Sequence, residues 1–382
     1  MKVHSYQFHE GVWNLLPSHF EQTNVHPQLV FVFGARDVIA NPVIYDSLRA
    51  KFPDANLVIS SSAGSIFQEN MTDNQLIANA LEFEKTQISV FQTNIQSYQN
   101  SFEAGVDVAK QLPKEKLKGV FMISDGGLVN GSELVRGLNE EFGGQTPISG
   151  GLASNFPDFE KTLLGLNQIP SEGNLILVGF YGEDLVMGYG CMGGWDGFGL
   201  EREVTHSEGN ILYEVDGVRA LDLYKEYLGE YAKNLPQASF LFPLSVKLYE
   251  DSTNTVVRTI INVNEKDGSM IFAGDIPVHS KVRFMKTNFD NVIDGSQLAS
   301  QQAMKPFEGK KDPDFALLVS CIGRRVVLAS RVEEELEAAR DGMSGKTVLS
   351  GFYSNGEFAT TLGNSFCDLH NQTMTITTFA EL

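Results

Sequence analysis

Hydrophobic positions in the first half of the chain fall into short apolar runs separated by stretches of helical period. LVFVFGAR (29–36) is an unbroken run of strand length. Asn41 and Pro42 then supply a helix cap and a first-turn proline. Ile44 and Leu48 recur at helical spacing until Phe52 and Pro53 end the segment. NLVISSSAG (56–64) is the next strand. Two later helices share a start signal, Asn100 with Glu103 and Asn130 with Glu133, an Asx cap followed three residues on by a carboxylate. Each follows a strand run, at 86–94 and in GVFMISDGG (119–127). The first helix is expected to bury Phe102, Val106 and Ala109 and stop at Pro113; the second, Leu134, Leu138 and Phe142, stopping at Gly143.

From about residue 147 the texture changes to glycine-rich apolar alternation (PISGGLAS, NLILVGFYG, LVMGYG, GGWDGFG), which predicts strands with tight bends or close backbone approach. A helix in DGVRALDLYKEYLG presents Leu221, Tyr224 and Leu228 on one face. EKDG is a hairpin turn signal. A helix over 292–305, a strand in DFALLVSCIGR and the helix ending SRVEEELEAARDG follow; in the last, Val332, Leu336 and Ala339 face inward and Glu333, Glu334, Glu335 and Glu337 form a solvated face. KTVLSGFYSNGEF and MTITTFAEL read as closing strands. The pattern predicts an α/β protein of two closely packed domains, mixed β-sheets with helices on the outer faces in a layered sandwich. The expected divisions are an N-terminal extension over 1–27, one domain over 28–160 and another over 161–382.

Charge narrows the partners. A formal net charge of −19 repels phosphate backbones and anionic lipid surfaces, so neither nucleic acid nor membrane is expected. No stretch approaches the roughly 18 apolar residues of a membrane span, and the start lacks the apolar core of a signal peptide. The 3 cysteines, Cys191, Cys321 and Cys367, form no CxxC pair and build no disulfide framework, which fits a reducing cytoplasm.

Candidate chemistry is sparse. No GxGxxG opens a helix after a strand and no P-loop occurs, so no nucleotide cofactor is expected. His4, His9, His19 and His26 crowd the start without metal-ligand spacing, and no metal is expected. Ser61 and Ser62 in SSSAGS, and Asp125 in SDGG, sit where strands end, the place at which open α/β sheets bind ligands. CIGRR, GFYSNGEF and LHNQTMTIT put Cys321, Arg324, Tyr353, Glu357, His370, Asn371 and Gln372 at the ends of apolar segments. An arginine forked onto a carboxylate beside an amide and an imidazole is equipped to hold a zwitterion; the alternative is a structural pair of Arg324 with Glu357. Cys321 with His370 and Glu357 is the only triad the residue types permit, and a thiol-dependent hydrolase or transferase using Cys321 and His370 is the alternative reading.

SSSAGSIF, VFMISDG, PISGGLASN, GGWDGFG, VTHSEGNILYEVDGVRALDLYKEYLG, CIGR, GFYSNGEF and LHNQTMTIT, in that order, resemble the FIST family over roughly residues 28–380, a FIST N domain followed by a FIST C domain. The resemblance implies a sensory module of the kind found in bacterial signal transduction, which binds small ligands such as amino acids and catalyses nothing; relatives in F-box proteins suggest a non-catalytic interaction scaffold as a further alternative. SSSAG stands where the family more often carries a cysteine. With the FIST-like region filling the chain, the expectation is a stand-alone sensor signalling through a separate protein. Carried over residue by residue, the resemblance implies Cys321, Arg324, Tyr353, Glu357, His370 and Asn371 as ligand-binding residues in the second domain, and Ser61, Ser62 and Asp125 in the first.

Overall fold

Strand outweighs helix in the computed structural model, 42% to 27%, so sheets carry the architecture and helices cover them. It describes residues 1–17, 25–157, 161–248, 255–361 and 366–382. Three six-stranded sheets each contain one parallel pair joined by a helical crossover. In the first sheet the pair is Leu29–Gly34 and Asn56–Ser61, joined through the helix Pro42–Lys51. In the second it is Leu117–Ser124 and Ile148–Leu152, through Gly131–Phe142. In the third it is Phe315–Cys321 and Val348–Ser354, through Ile322–Leu328 and Val332–Asp341. The remaining pairings within these sheets are antiparallel.

The apolar runs that the sequence shows as unbroken are strands buried on both faces. Their inner faces meet in one core. Phe31 of the first sheet lies 5.1 Å from Phe121 of the second, Phe33 lies 4.5 Å from Phe352 of the third, and Phe180 of the second lies 5.1 Å from Phe379 of the third. Each such ring, fully buried, contributes about 1.5–3 kcal/mol relative to an exposed one. The outer faces take the helices: Pro42–Lys51 on the first sheet, Ser101–Lys110 and Gly131–Phe142 on the second, Phe289–Met304 and Val332–Asp341 on the third. The layered α/β architecture expected from the sequence is therefore the one observed.

The helix capped by Asn100 is rotated from its expected face. It buries Ala104, Gly105, Val108 and Ala109, while Phe102 and Val106 are only half-buried. Gly105 and Gly137 abut where this helix crosses its neighbour, and a Cβ on either would run into the other helix's backbone. That contact sets the rotation. KTVLSGFYSNGEF is two strands: Val348–Ser354 belongs to the third sheet, and after a bend at Asn355 Gly356–Thr360 joins the second. The chain crosses between the same sheets again at Asn371–Thr373, from Cys367–His370 to Met374–Glu381.

Residues 2–9 and 12–15, within the stretch read as an extension, form the last two strands of the first sheet, with 12–15 at its edge. The Met1 ammonium lies 3.3 Å from Glu381. Strands on either side of residue 160 share the second sheet, and the third is likewise mixed.

The fourth sheet is an insertion. Eight strands between Val256–Arg258 and Ile260–Asn264 in sheet order, drawn from residues 196–286, surround the helix Ala220–Leu228, and Val204, Leu212, Leu221, Tyr224 and Phe272 form a separate core. The turn predicted at EKDG is present, with Gly268 at φ +74°, a left-handed conformation that glycine adopts freely. This β subdomain leaves the sandwich after Leu185–Met192 and returns at Phe289–Met304; its two roots touch, Thr287 Oγ1 donating to Gly194 O at 2.6 Å. No helix among the described residues is long and apolar enough to cross a membrane.

Candidate ligand-binding site

The carboxyl ends of the parallel pairs in the second and third sheets point to the same side of the sandwich. There the β subdomain folds over them, leaving a partly enclosed cavity of about 850 Å³. Gly126–Gly131, Cys321–Gly323 and Asn355 contribute the sandwich wall; Phe240, Thr259, Ile261 and Phe272 are among the residues on the subdomain wall. Three motifs singled out in the sequence, SDGG, CIGR and YSNG, thus converge on one space, at the strand ends where open α/β sheets place ligands. Another cavity, about 790 Å³, lies beside Lys51–Asn56, and none of the candidate ligand-binding residues lines it.

Polar atoms without partners gather at the larger cavity. Thr259 Oγ1 and Asn355 Oδ1, both on lining residues, are buried without a hydrogen bond, as are Asn371 Nδ2 and Gln372 Oε1 directly behind the wall. The Gln372 amide presses on Gly323, where a Cβ would lie 2.7 Å from it, and Asn371 Oδ1 accepts from Thr259 N at 3.4 Å. Gln372 is fully buried at φ +61°, a left-handed conformation costly for a non-glycine residue and held here by its neighbours. Its carbonyl accepts from Trp195 Nε1 at 3.0 Å and its Nε2 donates to Phe240 O at 3.1 Å. Trp195, from GGWDGFG, therefore ties the root of the subdomain to the second sheet crossing.

Arg324 does not face this space. Its side chain is fully buried, and every guanidinium nitrogen is engaged: Nε to Glu335 Oε2 at 2.8 Å, Nη1 to Gly193 O at 2.7 Å, and Nη2 to Val292 O and Ser296 Oγ, both at 2.7 Å. The structural pair considered for Arg324 was Glu357; the partner is Glu335. Glu335 was assigned to a solvated helix face and is fully buried. Tyr353 belongs to the same cluster, its hydroxyl donating to Glu335 Oε1 at 2.5 Å, and the nearby carboxylate and burial raise its pKa well above the usual tyrosine value. With every nitrogen engaged and the side chain fully buried, the arginine fork expected to hold a zwitterion is a brace. It fastens Gly193 and Val292, next to the two roots of the subdomain, onto the third sheet.

Glu357, Cys321 and His370 sit between the second and third sheets. Glu357 accepts from Ser354 Oγ at 2.6 Å and Thr373 Oγ1 at 2.8 Å, yet burial without a cation pushes its pKa up to about 8. Burial and the Glu357 carboxyl likewise push the Cys321 thiol well above its ordinary pKa. His370, paired with Glu357 across the strands, is held neutral, its pKa lowered to about 4 by burial and by Arg258. A reactive thiolate needs access and a depressed pKa. Cys321 is 2% exposed and burial pushes its pKa up, both of which run against the thiol-dependent alternative.

In the first half of the chain, Asp125 organises a turn, accepting from Gly127 N and Leu128 N at 2.8 Å and Gly173 N at 2.9 Å. It shapes the cavity's glycine wall and spends its carboxylate doing so. Ser61 Oγ accepts from Leu163 N at 3.0 Å, and Ser62 Oγ lies 3.4 Å from Ser65 Oγ; neither residue lines the cavity. Of the nine candidates, Cys321 is on the cavity wall and Asn371 behind it, Asp125 shapes the wall, and Arg324, Tyr353, Glu357, His370, Ser61 and Ser62 are not on it. Asn210, Gln237, Thr259, Asn262 and Asn355 are polar lining residues that were not singled out. Asn355 could have been found from the S-N-G break in an apolar run; Thr259, inside VVRTII, carries no signal. No metal-binding cluster occurs among the described residues; His19 lies outside them.

The strand ends, the sheet crossings and the inserted subdomain of this layered α/β fold all close on one cavity. The model of the FIST N domain matches residues 28–218 and that of the FIST C domain residues 220–360. The chain belongs to the FIST family, whose domains are in general sensory domains of signal transduction. No curated protein matches the sequence.

Proposed function

We propose that this protein is a sensor that binds a small polar molecule in the cavity between the sandwich and the β subdomain and passes the signal to a separate protein. The observation that carries the reading is the set of buried, unpartnered polar atoms, Thr259 Oγ1 and Asn355 Oδ1 foremost, on the walls of that cavity. Native interiors leave few such groups unsatisfied, and ones collected around a space call for an occupant. A route for the signal follows from the connectivity. Ile322 and Gly323 line the cavity; the next residue, Arg324, grips Gly193 O and Val292 O beside the roots of the subdomain. An occupant that shifts the Cys321–Gly323 wall moves the brace, and with it the orientation of residues 196–286.

The test is retention of small molecules. Full-length protein is mixed with a metabolite extract and gel-filtered, and co-eluting compounds are identified by mass spectrometry, beside Ile261→Trp. Ile261 is 50% exposed at the cavity lip, so the larger ring obstructs the opening without entering a core. Retention by the native protein and loss in the variant is the expected result; no retained compound, or equal retention by both, refutes the site. A pull-down that recovers nothing beyond the protein itself counts against the separate signalling partner.

A further inference from the structure

Given that cavity as the ligand site, we infer that its occupant is an uncharged molecule bearing an amide-like edge, with N–H donors beside a carbonyl acceptor, as in a lactam or a nucleobase. Among the described residues that line the cavity none is charged, in a chain of which 20% is charged. Ionic groups around it are held by bonds within the protein. Arg258 donates to Leu369 O at 2.7 Å and Asp275 O at 3.1 Å, and Asp275 Oδ1 accepts from Asn130 Nδ2 at 2.9 Å. Every guanidinium nitrogen of Arg324 and both oxygens of the Asp125 carboxylate are engaged by the bonds described above. An ammonium or carboxylate entering here gives up hydration and meets no counter-charge, which is strongly unfavourable.

The unpartnered atoms define what the occupant must offer. On the wall itself, Asn355 Nδ2 is turned toward Gly126 O at 3.5 Å, which leaves Oδ1 as an acceptor. The Thr259 hydroxyl serves either way. A carbonyl oxygen that needs an N–H donor and a hydroxyl that can give to an acceptor are matched by a cis-amide edge, which supplies both at adjacent atoms. Phe240, Phe272, Ile261, Ile322 and Leu152 supply apolar surface for the faces of a ring.

The test sets neutral against zwitterionic forms of the same skeleton. Binding of uracil, adenine and cyclic dipeptides to the full-length protein is measured by calorimetry and thermal shift beside the corresponding linear dipeptides and free amino acids. Thr259→Val and Asn355→Ser, each confirmed folded by its own melting curve, are measured in parallel. The expected result is binding of at least one neutral probe at millimolar concentration, weakened roughly tenfold by either substitution, the size of one lost hydrogen bond to a buried group. Binding of a zwitterion that the same substitutions abolish overturns the inference while leaving the cavity as the site. A probe bound equally by native protein and variants overturns the site itself, and the inference with it. No binding of any neutral probe overturns the inference.

Discussion

Replacing Arg324 by methionine isolates the brace at the roots of the β subdomain. Methionine keeps much of the apolar stem and removes the guanidinium, so Glu335 is left as a fully buried carboxylate with only neutral donors, Tyr353 at 2.5 Å and the more distant Ser320 at 3.3 Å and Ser296 at 3.4 Å. Breaking a buried ion pair from one side costs about 3–5 kcal/mol, because the remaining charge has lost its counter-ion in a poorly solvated place. The carbonyls of Gly193 and Val292 lose donors as well. A destabilisation of about 4 kcal/mol is expected for Arg324→Met, read as a fall in the urea midpoint at nearly unchanged slope. Adding Glu335→Gln to that variant removes the stranded charge and should recover about 2 kcal/mol, so the two substitutions are strongly non-additive. Trp195, bonded to the Gln372 carbonyl between the same elements, gives a local fluorescence signal for the transition. A cost below about 1 kcal/mol for Arg324→Met, or a double variant no more stable than the single, refutes the account of Arg324 as a structural brace.

Three further outcomes follow from buried groups and close contacts. The Glu357 pKa, raised to about 8, means that the native protein holds a proton the unfolded chain has released above the ordinary carboxylate range; stability contributed by that proton is full below about pH 4 and is lost as pH rises toward 8. Glu357→Gln should flatten the stability profile across that window, and parallel profiles for the two proteins would sink the claim. Glu381 is the opposite case: burial alone would raise its pKa, but donors from Glu84, Lys85 and Thr86 hold it down to about 2, so its contribution is present above the ordinary range and lost in acid, and Glu381→Gln should cost stability at neutral pH and little at pH 2. Gly190→Ala should destabilise by about 3 kcal/mol, since the added methyl meets the backbone carbonyl of Ala299 and the helix Phe289–Met304 must move off its sheet; a near-neutral melting temperature would show that the helix gives way readily.

The sequence conveys local structure far better than it conveys which surfaces meet. Asn41, Asn100 and Asn130 cap the helices they were expected to cap, because an Asx side chain and the first free amides are only residues apart. The S-N-G break marks Asn355, but that the chain changes sheets there was invisible, because alternation reports which face of a strand is buried and not which sheet it joins. Glu335 was misplaced although the cue existed: with Val332, Leu336 and Ala339 it completes the inward stripe of its helix, and a carboxylate on such a stripe requires a buried cation. The cavity was half legible. SDGG, CIGR and YSNG were recognised as strand ends, but Thr259 reaches the site from a β subdomain whose docking has no sequence-local signature.

The strand Met374–Glu381 lies inside the third sheet, between Leu185–Met192 and Phe315–Cys321. During synthesis on the ribosome, neither neighbour can complete its pairing until residue 381 has left the exit tunnel, and the second sheet likewise waits for Gly356–Thr360 and Cys367–His370. Leu185–Met192 and Phe315–Cys321, both strongly apolar, therefore wait for the strand they share until the last of these residues emerge, which is when chaperone capture matters most. The first sheet, drawn wholly from residues 2–166, has no such wait, but a gene cut at the boundary between the two family domains encodes two fragments, neither able to complete the second and third sheets.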